Sequence, residues 1–176
     1  MTDEKRFLLK VLSILLQYPD EELIRQLEEL RDAAEEVHEP GARDKCLSFL
    51  SYLAETSLIQ LQEAYSATFD LNPATCFNLT YHKWGDARER GSALVAFHRL
   101  YHNGGYECAS RELPDYLPMI LEFLSVNRQQ NSFSLLEHYY DPIKTIRSRL
   151  QETGSPYAGL LDIVQDIFTE LHASGV

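Results

Sequence analysis

Apolar residues recur at steps of three and four along almost the whole chain, and the alternating pattern of a half-buried strand is nearly absent. A period near 3.6 gathers such residues on one face of a helix, so packed helices are the only regular architecture this pattern supports. Thr2 or Asp3 is placed to cap a first helix with Phe7, Leu8, Val11, Leu12, Leu15 and Leu16 on one broad face. Tyr18-Pro19 ends it, because the residue before proline is pushed out of the α region. Asp20 opens a second helix striped by Leu23, Leu27, Leu30, Ala34 and Val37, with Glu21 and Glu22 at the positive end of its dipole.

His38-Glu39-Pro40-Gly41 reads as a turn. A third helix carries Cys46, Phe49, Leu50 and Leu53, and Ser57-x-x-Gln60 has the form of a capping box opening a fourth with Leu58, Leu61, Tyr65 and Phe69. Asn72-Pro73 stops that helix, and residues 73–85 read as an aromatic-rich loop. Asp86 is the expected cap of a central helix over residues 86–103, burying Ala87, Gly91, Leu94, Phe97 (or His98) and Tyr101, with Gly104 as its stop. The small Ala87 and Gly91 would then let a neighbouring backbone come close. Asp115 is the expected cap of the next helix, with Pro118 in its first turn. After Asn131-Ser132 come a helix through Tyr139, another from Asp141-Pro142 to Gly154, and a last one opened by Ser155-Pro156. Its stripe is Leu160, Leu161, Val164, Ile167, Phe168 and Leu171. The expectation is an all-α, single-domain bundle over residues 1–176, with about eight or nine helices.

The 27 acidic and 16 basic residues give a net charge of −11, which argues against binding nucleic acid through its phosphates and favours cationic partners. Residues 1–40 hold eleven acids against five bases, whereas residues 80–111 hold five bases against three acids. The acidic arm reads first as a solvated helix face. Cys46, Cys76 and Cys108 are odd in number and far apart, so neither a disulfide framework nor a zinc knuckle is indicated. The N-terminus lacks the pattern of a signal peptide, and no run approaches the roughly 20 apolar residues of a membrane span. A reduced, cytoplasmic protein is the expectation.

Residues 65–124 break the regular pattern with three phrases: Tyr65-x-x-x-Phe69-Asp70, then Tyr81-His82-x-Trp84-Gly85-Asp86-x-Arg88-x-Arg90-Gly91, then Glu112-Leu113-Pro114-Asp115-Tyr116. Cations early in a helix oppose its dipole, so Arg88 and Arg90 need compensation or a use. One reading pairs them with Asp70, Asp86, Glu112 or Asp115 to lock helix ends; the other makes them the polar rim of a peptide groove. His98 and His102 stand four apart, but no third ligand and no His-Glu-x-x-His pattern accompanies them, so no metal site is assigned. Glu112 and Asp115 as paired catalytic acids lack convergent partners, and no phosphate loop or nucleophile elbow is present. No catalytic residue is assigned.

Taken together, the three phrases resemble the NarJ-type assembly chaperones of respiratory nitrate reductase, within the wider TorD/DmsD group of redox-enzyme maturation chaperones. Tyr65-x-x-x-Phe69 is similar to that group's aromatic signature, and Glu112-Leu113-Pro114-Asp115 to its Glu-x-Pro-Asp-His hinge, with Tyr116 where histidine is common. His82 to Gly91, followed by Ala93-Leu94, resembles the nitrate reductase subgroup. The resemblance implies a TorD-like helical, non-enzymatic chaperone that binds the N-terminal segment of the client's catalytic (alpha) subunit. It further implies support for insertion of molybdopterin guanine dinucleotide into that client before membrane attachment, with no cofactor of the chaperone's own. Client-binding residues are expected among Tyr65, Phe69, Tyr81, His82, Trp84, Asp86, Arg88, Arg90 and Tyr101, and a hinge at Glu112, Pro114, Asp115 and Tyr116. The alternatives are a chaperone for a dimethyl sulfoxide or trimethylamine oxide reductase, or a small-molecule or nucleotide-binding enzyme.

Overall fold

The computed structural model describes residues 1–108, 112–128 and 135–173. Among these the backbone forms helices and turns, and one isolated antiparallel bridge, Asn78 to Tyr116, stands where a sheet would be. Ten α-helices are described, eight of them at least seven residues long, so the all-α expectation holds with slightly more pieces. They are α1 (Asp3–Leu15), α2 (Glu21–Arg25), α3 (Leu27–Glu35), α4 (Pro40–Glu55), α5 (Leu58–Tyr65), α6 (Tyr81–Trp84), α7 (Glu89–Asn103), α8 (Leu117–Val126), α9 (Tyr140–Glu152) and α10 (Ala158–Ala173).

Side-chain caps account for several starts. Thr2 Oγ1 accepts from Lys5 N at 3.3 Å, Asp20 Oδ1 from Leu23 N at 2.9 Å and Ser57 Oγ from Gln60 N at 3.4 Å, each relieving an amide without a helical partner. The helix expected after Asp20 is two: Gln26 N is shared between Glu22 O and Leu23 O, and ψ of 6° there kinks the chain. The turn expected at residues 38–41 lies partly inside α4, because Glu39 caps Gly41 N and Ala42 N while Pro40 takes the first helical position. The last helix starts at Ala158, two residues later than Ser155-Pro156 suggests, since Ser155 Oγ accepts from Tyr157 N and closes a turn first. The break expected at Asn131-Ser132 lies outside the described residues.

Two expectations in the middle of the chain fail. Asp86 does not cap the central helix: Gly85 ends α6 at φ +52°, the chain turns through residues 85–88, and α7 begins at Glu89 with no side-chain cap. This delay rotates Ala87 and Gly91 to the surface, and no atom lies within 4 Å of where a Gly91 Cβ would stand, so neither serves a close approach. The stop of α7 is also divided. Gly105 carries the left-handed turn (φ +78°), with Tyr106 N bonded to Tyr101 O and Gly105 N to His102 O, while Gly104 is the cap residue before it. Gly104 matters for space, because a Cβ there would sit 2.8 Å from the Phe123 ring.

The core gathers α1 along α8, α4 between α3 and α10, and α9 on α10. Leu9, Leu12, Leu15, Leu16, Leu117, Leu121 and Leu124 are buried where α1 meets α8. Arg6 Nη1 donates to Leu124 O and Asn127 O, placing a cation at the negative end of α8. The whole α10 stripe from Leu160 to Leu171 is buried as expected. Tyr157, at the entry to α10, packs on Phe49 and Phe69 at 4.8 and 4.9 Å between ring centres, which anchors the C-terminal helix on the aromatic cluster. No described helix is long and apolar enough to cross a membrane.

Candidate functional site

The three sequence phrases meet at one junction. The first ends α5 in a π-helical turn, Ser66–Asp70, closed by Leu71 N to Ser66 O and braced by Thr68 Oγ1 on Ala64 O. Such turns widen a helix locally and are often found at functional sites. Here the turn brings Phe69 onto Phe77, stacked at 4.0 Å, with Tyr65 at 4.7 Å from Phe69. Tyr65 and Phe69 are buried. The Tyr65 hydroxyl donates to Leu16 O at 3.0 Å and shares a 2.7 Å hydrogen bond with the Tyr116 hydroxyl. Burial pushes both phenols well above the ordinary tyrosine range.

The third phrase supplies the polar centre. Asp115 is fully buried and does not cap α8, which starts from Tyr116 without a side-chain cap. Its carboxylate accepts from Thr80 N at 3.0 Å, Thr80 Oγ1 at 2.5 Å and Asn78 Nδ2 at 3.1 Å. Arg90 Nη2 lies 4.0 Å away, and Arg90 Nε donates to Thr80 Oγ1 at 3.1 Å while the guanidinium rests over the Tyr81 ring. Leu79 N donates to Asp115 O, Leu117 N to Phe77 O, and Tyr101 Oη to Pro114 O at 2.6 Å. The 77–80 segment and the 114–117 corner are therefore laced together over a short length, with the central helix attached through Arg90 and Tyr101. Of the two readings of the arginines, ion pairing describes Arg90.

The remaining expected residues are spread around this centre. His82 is half-buried, and its Nε2 donates to Cys76 O at 2.8 Å, which assigns the proton to that nitrogen. Trp84 packs edge-on to Tyr139 at 6.3 Å, with Lys83 Nζ over both rings. Tyr101 is buried against Phe123. Asp86 and Arg88 are exposed in the turn before α7 and are not brought into the cluster.

Outward from the polar centre lies a cavity of about 310 Å³ with Tyr18, Tyr65, Phe69, Phe77 and Tyr116 on its walls and Asp70 and Glu112 among its acids. The exposed Leu71 and Leu113 are sequence neighbours of those two acids. Tyr18, Asn78 and Thr80 belong to this site but carry no motif. Tyr18 looked like a helix end because Pro19 follows it, and it is 45% exposed, edge-on to Tyr65. Its aromatic ring beside a chain break was the available signal. Among the described residues no three His, Cys, Asp or Glu side chains converge as a metal site would require.

The family described as nitrate reductase delta subunit matches residues 19–162, which includes every residue of the junction except Tyr18 and Leu16, the acceptor of the Tyr65 hydroxyl. The chain belongs to this family. A Bacillus subtilis protein named as a nitrate reductase molybdenum cofactor assembly chaperone, NarJ, is 34% identical over 163 residues, covering 93% of this chain and 89% of its own length. The Escherichia coli K12 nitrate reductase molybdenum cofactor assembly chaperone NarJ is 33% identical over 164 residues, 89% of this chain and 67% of its own. These relatives place the chain with the NarJ-type assembly chaperones of the delta subunit family. An Archaeoglobus fulgidus crystal structure assigned to redox enzyme maturation superposes with a TM-score of 0.68 at 23% identity over 93% of each chain, a likeness of fold. For a delta subunit family member the junction is notable because all three phrases of the family resemblance supply atoms to it.

Proposed function

We propose that this chain is a system-specific cytoplasmic chaperone that binds the N-terminal segment of the nitrate reductase catalytic subunit and acts as one domain. It keeps the apo-subunit competent for insertion of molybdopterin guanine dinucleotide and delays membrane attachment until that insertion is complete. It is not an enzyme, and the cofactor is the client's cargo rather than its own. The observation that carries this reading is the aromatic-walled cavity at the meeting point of the three family phrases, open beside exposed Tyr18 and flanked by Asp70 and Glu112.

An amphipathic helix presents apolar side chains at positions i, i+3 and i+4, and a few aromatic walls suffice to receive them. The apolar face of the client segment seats against Tyr18, Tyr65, Phe69 and Tyr116, and its cations meet Asp70 and Glu112. Tyr81, His82, Trp84, Asp86, Arg88, Arg90 and Tyr101 form the surrounding frame, of which Asp86 and Arg88 present the free outer edge. Residues 112–116 serve as the hinge of this groove. The hydrogen bonds from Leu79, Thr80, Asn78 and Tyr101 hold that corner, so a pivot of the C-terminal helices requires those bonds to exchange.

Titration calorimetry with a peptide of the client's first 20 or so residues, about five to six helical turns, tests the reading. Binding with a negative heat-capacity change is expected from apolar burial, and the association rate should fall as salt rises because rim charges steer encounter. Absence of binding, or binding undiminished by Tyr18→Ala and Phe69→Ala in folded protein, would overturn it.

A further inference from the structure

Away from the junction, two clefts open side by side at the N-terminal end of α1 and share Glu4 as a common wall. One, of about 490 Å³, lies between α1, the start of α4 and α10; the other, of about 650 Å³, lies between α1 and the end of α3. Their walls are apolar at depth and acidic at the lip. Leu8, Ile163 and Ile167 line the first and Phe7 and Val37 the second. Seven carboxylates against three lysines or arginines border the pair.

The cations present are engaged. Lys5 pairs with Glu170 across the first cleft, Lys45 lies 3.4 Å from Asp162, and Arg43 sits 4.0 Å from Asp44. Glu35, Glu36 and Asp166 are exposed, and none of them makes a salt bridge among the described residues. Glu39 offers its charge at the lip as well, while capping α4. Adjacent clefts with apolar floors and uncompensated carboxylates at their lips complement a helix carrying an apolar stripe flanked by lysine or arginine.

We infer that the paired clefts around Glu4 are a second docking surface, whose occupant is a basic amphipathic helix of a partner protein. It is separate from the junction. Tyr65 touches the C-terminal end of α1 at Leu16, whereas Glu4 stands at the other end, and a helix of 13 residues is about 20 Å long. The body of α1 between them is largely buried, so no continuous open path along it joins the two. One short segment therefore fills one site or the other. The acidic bias of residues 1–40 thus belongs to a shaped surface as well as to solvated faces.

The test uses the full chain and a synthetic 18-residue helix of leucine and lysine, about five turns, with leucines at i, i+3, i+4 and i+7. Fluorescence anisotropy compares wild type with a cleft triple, Glu35→Gln/Glu36→Gln/Asp166→Asn, and with a control triple, Glu28→Gln/Glu29→Gln/Glu55→Gln. The control residues are exposed, lie outside both clefts and carry the same charge change. All six positions are at the surface, and thermal melts confirm folding. The cleft triple should weaken binding about tenfold, at least five times more than the control. A smaller difference means that net charge alone attracts the helix, and this overturns the proposal, as does a wild type that does not bind. Hydrogen exchange on wild type gives a second readout: protection is expected in α1 and α10, and protection confined to residues 76–82 and 112–118 overturns the assignment. The client segment is not used here, so failure of this surface leaves the junction reading untouched.

Discussion

Replacing Asp115 with alanine tests how the junction is held. As a helix cap, Asp115 would contribute about 0.5–2 kcal/mol. The structure instead gives its buried carboxylate three donors, two of them on the fully buried Thr80, with a guanidinium 4.0 Å away. Hydrogen bonds to a charged group contribute about 1.5–3 kcal/mol, and removing one partner of a buried charge pair costs about 3–5 kcal/mol. Thr80 N has no water to turn to, and Arg90, only 19% exposed, loses the charge facing it. A loss of about 3–5 kcal/mol is expected for Asp115→Ala. With a urea m-value of about 2 kcal/mol/M, the unfolding midpoint should fall by about 1.5–2.5 M. Asp86→Ala, at an exposed turn, should stay within about 0.5 kcal/mol. Arg90→Ala should destabilise wild type by at least about 0.5 kcal/mol more than it destabilises the Asp115→Ala protein, the coupling expected of groups in one network. An Asp115→Ala loss below about 2 kcal/mol, alongside an Asp86→Ala loss near 1 kcal/mol, would return Asp115 to a marginal role and Asp86 to a cap.

Three glycine variants should separate in urea melts: Gly104→Ala loses about 1–3 kcal/mol by driving a methyl into Phe123, Gly105→Ala loses about 1–2 kcal/mol from its left-handed backbone, and exposed helical Gly91→Ala gains up to about 1 kcal/mol. Stability should start to fall near pH 9, where unfolded cysteine ionises while burial pushes the Cys46 thiol up to about 12, and fall more steeply above pH 10. Burial raises the phenols of Tyr65, Tyr101, Tyr116 and Tyr157 and pushes Tyr139 up to about 12, whereas unfolded tyrosines ionise near 10. The neutral folded form is thus favoured below the unfolded value, and that advantage is lost as pH climbs. Urea midpoints that do not drop between pH 9 and 11 would contradict it, as would full phenolate absorbance in folded protein at pH 11. Hydrogen exchange over residues 112–118 with the client peptide bound decides the hinge: faster exchange at Tyr116 and Leu117 is expected of a pivot, and unchanged protection of a fixed corner.

The helical stripes were legible because they depend on local periodicity and bulk burial, which is why the α10 stripe and the α4 face stand where the pattern put them. What escaped depends on partners distant in sequence. Asp86 and Asp115 look alike locally, each a short acid before a helical pattern. They differ because Gly85 turns the chain away before α7, while Asp115 faces Asn78 and Thr80 from 37 and 35 residues earlier. No stripe marks Asn78 or Thr80, since neither repeats with a helical period.

The buried loop supplies the reason that an acid stands at position 115. Phe77, Leu79 and Thr80 are at most 2% exposed yet lie outside any helix, so their backbone groups need partners that neither helix nor water provides. Asp115 meets two of those needs at once, its carbonyl taking Leu79 N and its carboxylate taking Thr80 N, while Leu117 N answers Phe77 O. The helix that follows has less use for a cap, because Pro118 has no amide to satisfy and Leu117 N is already spent on the loop. Asparagine at 115 would keep one acceptor for Thr80 N but lose the charge facing Arg90, so Asp115→Asn should fall between wild type and alanine. The loop's buried donors, more than the start of α8, favour a carboxylate at this corner, and the same carboxylate, with Thr80, ties Arg90 and so the central helix to the buried loop.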